Sequence, residues 1–204
     1  MNLEKRQNLS KFLARYEIYK LICNIHGSIV ECGVGDGTGL KTWALLSAIF
    51  EPVNHPRRII GFDTFEGHKS VSSIDNTAEG KLNFGGFEEL KNWIIDYDKN
   101  RFVNDIPKIE LVKGNAVNEI PKYLDKNPQL IISLLNLDFD IYEPTKTALN
   151  YFVSRMPKGA IIVFDELNAP DWKGETQALN EIIGVSKIKL QRFPFTSTIS
   201  YAIL

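Results

Sequence analysis

Four glycines at alternating positions, placed directly after a short apolar segment, could form the backbone of a ligand-binding loop. An acid, Glu31, and the apolar residues 29–30 precede this run, whose glycines are Gly33, Gly35, Gly37 and Gly39. Because glycine tolerates positive φ and has no Cβ, such a turn lets a ligand lie against backbone N–H groups. The helix that we predict over 38–50 adds unsatisfied donors and a partial positive charge. The run therefore predicts the cofactor site of an α/β fold that binds a nucleotide-like ligand.

The spacing of the glycines argues against a dinucleotide as that ligand. The dehydrogenase fingerprint G-x-G-x-x-G would need a glycine at position 38 or 40, where this chain has Thr38 and Leu40. The observed G-x-G-x-G-x-G, with Glu31 before it, resembles motif I of class I S-adenosylmethionine-dependent methyltransferases, in which this run holds the methionine part of the cofactor. The remaining alternative is a tight strand-to-helix turn that binds nothing.

Two further strand ends carry polar residues suited to the same cofactor. Asp63 follows a predicted strand, where a carboxylate can accept both ribose hydroxyls of an adenosine, and we assign its neighbour Thr64 to the same site. Asn115 and Ala116 follow the next strand and are placed to flank the adenine. For Asn115, the cap of a following helix is an equally good interpretation.

Carboxylates cluster at the ends of the next two strands. These acids are Asp138, Asp140, Asp165 and Glu166. Neighbouring strands lie about 4.8 Å apart, so the charges should repel unless a cation or a proton joins them. Oxygen ligands without His or Cys suit Mg²⁺, which could lower the pKa of a bound hydroxyl. The alternative is a metal-free site in which Asp138 or Asp165 acts as the base or binds the substrate.

One histidine is a further candidate for the base. His68 lies just after Asp63 in a long polar segment, and an imidazole titrates near neutral pH. A solvated loop histidine without a chemical role is the alternative.

The order of apolar runs predicts the elements that position these residues. Continuous apolar strands alternating with helices indicate an α/β fold: a Rossmann-like, doubly wound seven-stranded sheet, mostly parallel, with an antiparallel C-terminal hairpin. We predict strands at 28–32, 58–62, 109–112, 130–137 and 160–164, and a hairpin of 187–192 and 198–204. We predict helices at 9–22, 38–50, 87–100 and 175–183, and another that begins near Pro144. The first helix is expected to bury Leu9, Phe12, Leu13, Tyr16 and Tyr19. The insertion 64–105 is long for one crossover and is expected to contain a lid, 67–86.

Composition narrows the class of protein. Lys and Arg total 24 and Asp and Glu total 25, so no net charge favours nucleic acid or a membrane surface. No apolar stretch approaches the roughly 20 residues that span a bilayer, and the polar N-terminus does not resemble a signal peptide. Two cysteines, Cys23 and Cys32, predict neither a disulfide nor a zinc site. We therefore expect a cytoplasmic protein with one domain over 1–204.

Four motifs in order resemble the macrocin O-methyltransferase family. They are residues 29–34, 61–67, 137–145 and 162–166. The resemblance extends from Tyr16 to Leu204 and implies S-adenosylmethionine, Mg²⁺ and a sugar hydroxyl as acceptor. It also implies that the metal ligands are Asp138, Asp165 and Glu166, and that Asp63 binds the ribose.

Three features depart from the patterns of related enzymes. The second acid after the fifth strand is Glu166, where the family often has an aspartate, and its extra methylene moves the ligand oxygen outward. The N-terminal region is short, so a helical lid is reduced or supplied by another subunit of a homo-oligomer. Ile141 stands where related catechol-type enzymes have a lysine base, so no such lysine is implied here.

These observations predict an S-adenosylmethionine-dependent O-methyltransferase, assisted by Mg²⁺. The expected acceptor is a sugar, a sugar nucleotide or a related polyhydroxylated metabolite in bacterial polysaccharide or natural-product biosynthesis. The alternatives are an NAD(P)-binding oxidoreductase and a non-catalytic partner subunit that binds the cofactor.

Overall fold

Seven strands form one sheet in the computed structural model, which describes residues 5–204. The strands are β1 (Ser28–Cys32), β2 (Ile59–Asp63), β3 (Ile109–Lys113), β4 (Ile132–Leu137), β5 (Ile161–Phe164), β6 (Gln191–Arg192) and β7 (Ser200–Ile203). Their order is β3-β2-β1-β4-β5-β7-β6; the pairs that involve β7 are antiparallel and the others are parallel. The predicted fold class is confirmed.

Helices cover both faces of the sheet. They are α1 (Arg6–Ile22), α2 (Thr38–Phe50), α3 (Phe87–Lys99), α4 (Ala116–Lys126), α5 (Tyr142–Phe152) and α6 (Lys173–Ile182). One core cluster joins the sheet to α1, α2 and α3, and a second joins it to α4, α5 and α6. Because both faces are buried, β1, β4 and β5 are buried along their whole length, which explains their continuous apolar runs.

The strand order places the ends of β1 and β4 side by side at the centre of the sheet. Cys32 pairs with Leu137, and Leu137 pairs with Phe164 of β5. The chain order reverses here, because β2 and β3 lie to one side of β1 and the later strands to the other. In open α/β sheets, ligands bind beyond the carboxyl ends of the strands at this point.

The rotation of α1 differs from the prediction. Its buried face contains Ala14, Arg15, Ile18, Tyr19 and Ile22, whereas Leu9 and Leu13 of the predicted apolar face are about 40% exposed (40% and 42%). The prediction was therefore wrong for Leu9 and Leu13 and right for Tyr19. The observed rotation turns Arg15 toward the sheet and leaves two leucines outside.

Two other elements differ from the prediction. The first hairpin strand is only Gln191–Arg192, because Val185–Lys187 form a 3₁₀ turn and Pro194 follows closely. Helix α4 was anticipated only through the helix-cap alternative for Asn115 and was given no predicted bounds; it contains Pro121, a residue that ordinarily ends a helix.

The other helices and the central strands lie within a few residues of their predicted bounds. The segment between β2 and α3 has no regular secondary structure over 64–86, and its role as a lid stays a prediction. Among residues 5–204, none of the helices has the length and apolar character needed to cross a membrane.

Candidate active site

A cavity of about 590 Å³ lies at the carboxyl ends of the parallel strands. Its wall includes the glycine turn, the end of β2, the start of α4, part of the 64–86 segment and the residues after β4. Helix α1 also contributes to the wall. The cavity thus brings together these candidates from distant parts of the sequence: Glu31, Gly33, Gly35, Asp63, Thr64, His68, Asn115, Ala116 and Asp138.

The glycine turn has the backbone that its spacing predicted. Gly33, Gly35 and Gly37 have φ of 92°, 54° and 80°. A Cβ on Gly33 would lie 1.9 Å from the carbonyl oxygen of Asp138, so this turn packs directly on the chain that follows β4. The fourth glycine, Gly39, is required for another reason: a Cβ there would lie 1.9 Å from Glu31 Oε1.

Glu31 is a buried carboxyl in the wall of this cavity. Its side chain is 1% exposed, and its Oε2 has no hydrogen-bond partner within the described part of the chain. Burial raises the pKa of Glu31 to about 8, although the nearby Arg15 guanidinium acts to lower it. Buried polar atoms are almost always paired, so an unpaired acceptor beside a cavity fits a ligand that carries a donor. The ammonium of the methionine part of S-adenosylmethionine is such a donor.

Asp63 closes the glycine turn. Its Oδ2 accepts hydrogen bonds from the N–H groups of Val34 and Gly35, both at 2.8 Å, and its Oδ1 accepts one from Phe65 N at 2.6 Å. The carboxylate still lines the cavity. Its predicted contact with the ribose stays a prediction, and the structure adds a role in fixing the loop that carries the glycines.

The neighbouring cofactor candidates shape the loops around the cavity. Thr64 Oγ1 donates to Gly67 O at 2.6 Å and so forms a turn. Asn115 caps α4, because its Oδ1 accepts from Val117 N at 3.1 Å, while its Nδ2 donates to Ser70 Oγ at 2.7 Å. The helix-cap interpretation of Asn115 is confirmed, and the residue lies in the cavity wall as well.

Among the predicted metal ligands, Asp138 lines the cavity directly. Burial, followed by the charges of Asp165 and Asp140, raises the pKa of Asp138 well above its ordinary range. Asp165 lies at the adjacent strand end, with its N–H donating to Leu137 O at 3.1 Å. Glu166 is half-buried, and burial together with the Asp165 charge raises its pKa to about 7. The predicted clustering of these acids is therefore present.

The cluster does not form a metal-binding group. Within residues 5–204, no three His, Cys, Asp or Glu side chains are arranged to hold a metal ion. Asp165 instead accepts a hydrogen bond from Lys11 Nζ at 2.7 Å, which takes one of its carboxylate oxygens. The oxygen donors have the chemistry that Mg²⁺ prefers, but their placement does not fit the ion.

His68 is held in place rather than solvated. Its Nδ1 lies 3.1 Å from Thr77 Oγ1 and its Nε2 lies 3.5 Å from Asp140 Oδ2. The ring also meets Trp172 edge-on, with centroids 5.9 Å apart. Asp140 has a φ of 63°, an uncommon conformation for a non-glycine residue that is often found at functional sites.

Three buried or paired charges near the site were not predicted. Lys11 and Arg15 lie one turn apart on α1 and both line the cavity. Glu175 on α6 is 1% exposed, and its Oε2 accepts from Glu166 N at 2.7 Å. The sequence could have indicated that Glu175 is buried, because it lies three residues before Ala178 and four before Leu179 and therefore on the same face of α6.

Glu31 should make stability depend on pH. The unfolded carboxyl ionises above pH 4.5, whereas the folded one keeps its proton until about pH 8, so the folded state binds more protons in this window. The free energy of unfolding should then fall by up to about 1.4 kcal/mol per pH unit from this group. In Glu31→Gln this contribution is absent. From pH 5.5 to pH 7.5, the free energy of unfolding of the variant should therefore rise by roughly 1–3 kcal/mol relative to that of the wild type.

Urea unfolding of both proteins at the two pH values measures this difference. Glu88→Gln is the control, because the Glu88 side chain is 70% exposed and pairs with Lys91 at the surface. It should leave the pH dependence unchanged. Equal pH slopes for wild type and Glu31→Gln would show that Glu31 is ionised in the folded protein.

Comparisons with known proteins give one sequence family and several similar structures. The sequence model of the macrocin-O-methyltransferase (TylF) family matches residues 7–189. The crystal structure of CalS11, a calicheamicin methyltransferase, is similar with a TM-score of 0.94 and 32% identity over 99% of this chain and 82% of that one. An apo structure of CalS11, described as a TDP-rhamnose 3'-O-methyltransferase, has a TM-score of 0.85 and 32% identity over 98% and 80%. The O-methyltransferase NovP shares the fold, with a TM-score of 0.66 and 15% identity over 95% and 79%. A search of curated protein sequences gave no significant match.

Proposed function

Since the chain belongs to the macrocin-O-methyltransferase (TylF) family and is an S-adenosylmethionine-dependent O-methyltransferase, we propose that its acceptor is a hydroxyl of a sugar, most simply of a sugar nucleotide. The predictions of family, enzyme class and methyl donor are confirmed. They exclude the alternative of an NAD(P)-binding oxidoreductase. The sugar acceptor is supported by the 32% identity to CalS11, whose described substrate is TDP-rhamnose. A place in polysaccharide or natural-product biosynthesis, and in the cytoplasm, remains a prediction.

One observation carries the proposal: a single cavity holds both the glycine turn and the carboxylate of Asp138. The turn and Glu31 bound one part of it, where the methionine end of the cofactor fits. Asp138, Asp140 and His68 line the same cavity. A methyl donor and an acceptor hydroxyl can therefore meet in one cleft, which is what in-line transfer requires.

The chemistry follows from these residues. The acceptor oxygen attacks the methyl carbon, the carbon–sulfur bond breaks, and the sulfonium becomes the neutral thioether of S-adenosylhomocysteine. The hydroxyl proton must leave in the same step or just after it. The ionised form of Asp138 is the proposed proton acceptor, because the side chain lines the cavity and the backbone packs against Gly33. Its raised pKa makes that carboxylate a stronger base, and the Lys11 and Arg15 charges favour the ionised form. His68 lines the same cavity beside Asp140.

Magnesium assistance is not part of this proposal. The predicted ligands Asp138, Asp165 and Glu166 have the oxygen donors that the ion prefers, but among the described residues they form no group that could hold it. Since Lys11 takes an oxygen of Asp165, no step of the proposed chemistry is assigned to a metal.

Two experiments test the proposed function. Calorimetric titration with S-adenosylhomocysteine and with NAD should show binding of the first alone. Labelled S-adenosylmethionine should then be incubated with TDP-rhamnose, free rhamnose and a catechol, and the products examined by mass spectrometry for one added methyl group. We expect methylation of TDP-rhamnose or a related sugar nucleotide. Methylation of the catechol alone would contradict the sugar acceptor, and cofactor binding without transfer to any acceptor would favour the non-catalytic alternative.

A further inference from the structure

Lys11 joins the first helix of the chain to the acids at the end of the sheet. Its Nζ lies 2.7 Å from Asp165 Oδ2, across 154 residues of sequence. The Asp165 side chain is only 7% exposed, whereas that of Lys11 is 35% exposed and lines the cavity. The ammonium is thus positioned at the boundary between the buried acid and the space where the substrate binds.

The charge of Lys11 acts on more than one acid. Among the carboxylates, Asp165 interacts most strongly with the Lys11 ammonium, and Asp138 is second. Asp138 and Glu166 in turn both feel the negative charges of Asp165 and Asp140. Removing one partner of a buried ion pair is costly, because it leaves an uncompensated charge in a medium of low polarity. A cation or a proton is therefore required here, and Lys11 supplies a cation to Asp165.

The pairing also explains the rotation of α1. Turning Leu9 and Leu13 outward costs apolar burial, but the same rotation brings Lys11 to Asp165 and Arg15 to the neighbourhood of Glu31. Two cations one helical turn apart are thereby directed at two carboxyls from different strand ends. A divalent ion bound through Asp165 Oδ2 would compete with Lys11 for that oxygen.

We propose that Lys11 is the counterion of the Asp138–Asp165 pair in this enzyme, in the place where a divalent metal is expected. Lys11 is then a positioning residue, which keeps Asp138 and Asp165 in place while the acceptor hydroxyl loses its proton to a carboxylate. This inference rests on the proposed function only for its effect on turnover. The identity of the cation at this site does not depend on the proposed function.

Metal binding is the direct test, and it needs no acceptor. Mn²⁺ is titrated into the full-length wild type, Lys11→Met and Lys20→Met, and free Mn²⁺ is followed by electron paramagnetic resonance. Lys20 lies on the same helix and pairs with Glu17 at the surface, so its variant is the matched control. We expect no stoichiometric uptake by the wild type or Lys20→Met, and uptake of one ion by Lys11→Met, whose acids have lost their counterion. Stoichiometric uptake by the wild type would overturn the proposal.

Turnover gives the second readout. With EDTA present, Lys11→Met should lose at least about tenfold in kcat while its Kd for S-adenosylhomocysteine stays within about twofold, and Lys11→Arg should recover most of the loss. Wild-type kcat should be the same in EDTA and in Mg²⁺. Loss of wild-type activity in EDTA would overturn the proposal. If no acceptor is methylated at all, the proposed function fails, whereas the Mn²⁺ result still decides the identity of the cation.

Discussion

In Gly33→Ala, we expect the Kd for S-adenosylhomocysteine to rise by more than about a hundredfold, because both backbone conformation and space are lost at once. Gly33 has a φ of 92°, which an alanine adopts only with strain. The new Cβ would also lie 1.9 Å from the carbonyl oxygen of Asp138. That oxygen belongs to rigid backbone at the end of β4, so the glycine turn must move, and the cavity wall against which the cofactor is proposed to lie changes shape.

Two other glycines separate these causes. Gly85 has a φ of 59°, and a Cβ added there would meet no described neighbour within 4 Å, so Gly85→Ala tests strain alone and should leave the Kd within about threefold. At Gly37 a Cβ would meet the flexible end of Leu90, at 2.8 Å, so Gly37→Ala should fall between the two. Calorimetry measures the Kd values and circular dichroism checks folding. A folded Gly33→Ala that binds as the wild type does would contradict the placement of the cofactor on this turn.

The success of the glycine prediction and the failure at α1 have different physical origins. The conformation of a glycine turn is local, so the spacing of Gly33, Gly35 and Gly37 was enough to predict it. The meeting of Asp138 with Asp165 needed one further rule, that parallel strands end at the same edge of the sheet. Both predictions depend on short stretches of sequence and on general geometry.

The pairing of Lys11 depends on information that no short stretch contains. The partner of Lys11 is 154 residues away, and the pairing accompanies a rotation of α1 that leaves Leu9 and Leu13 exposed. Apolar periodicity favoured Leu9 and Leu13 as buried, and it gave no weight to a lysine that neutralises an acid on another element. Glu175 differs from Lys11, because helical spacing places it on the buried face of α6 and the N–H that it accepts, from Glu166, is only nine residues away. Charges buried in pairs are therefore the part of this site that sequence periodicity mispredicts.

In Asp138→Asn, we expect kcat for methyl transfer to fall by about 10²–10⁴-fold, the range for loss of a positioned proton acceptor. The amide keeps the shape of the side chain and leaves the main chain against Gly33 intact, so the Kd for S-adenosylhomocysteine should stay within about threefold. His68→Asn should cost much less, because both ring nitrogens already have side-chain neighbours, Thr77 and Asp140.

The size of the Asp138 effect also separates the two roles that a carboxylate can have here. A group that only binds the acceptor would raise KM, whereas the proton acceptor lowers kcat and leaves ground-state binding nearly unchanged. Steady-state kinetics with a saturating methyl donor distinguish these outcomes. Asp96→Asn is the control, since the Asp96 side chain is 75% exposed on α3. An unchanged kcat in Asp138→Asn, or an equal loss in His68→Asn, would instead assign the role of proton acceptor to the His68–Asp140 pair. The methyl donor and the acceptor hydroxyl would then still meet in the shared cavity, but the catalytic base would lie in the 64–86 segment instead of at the end of β4.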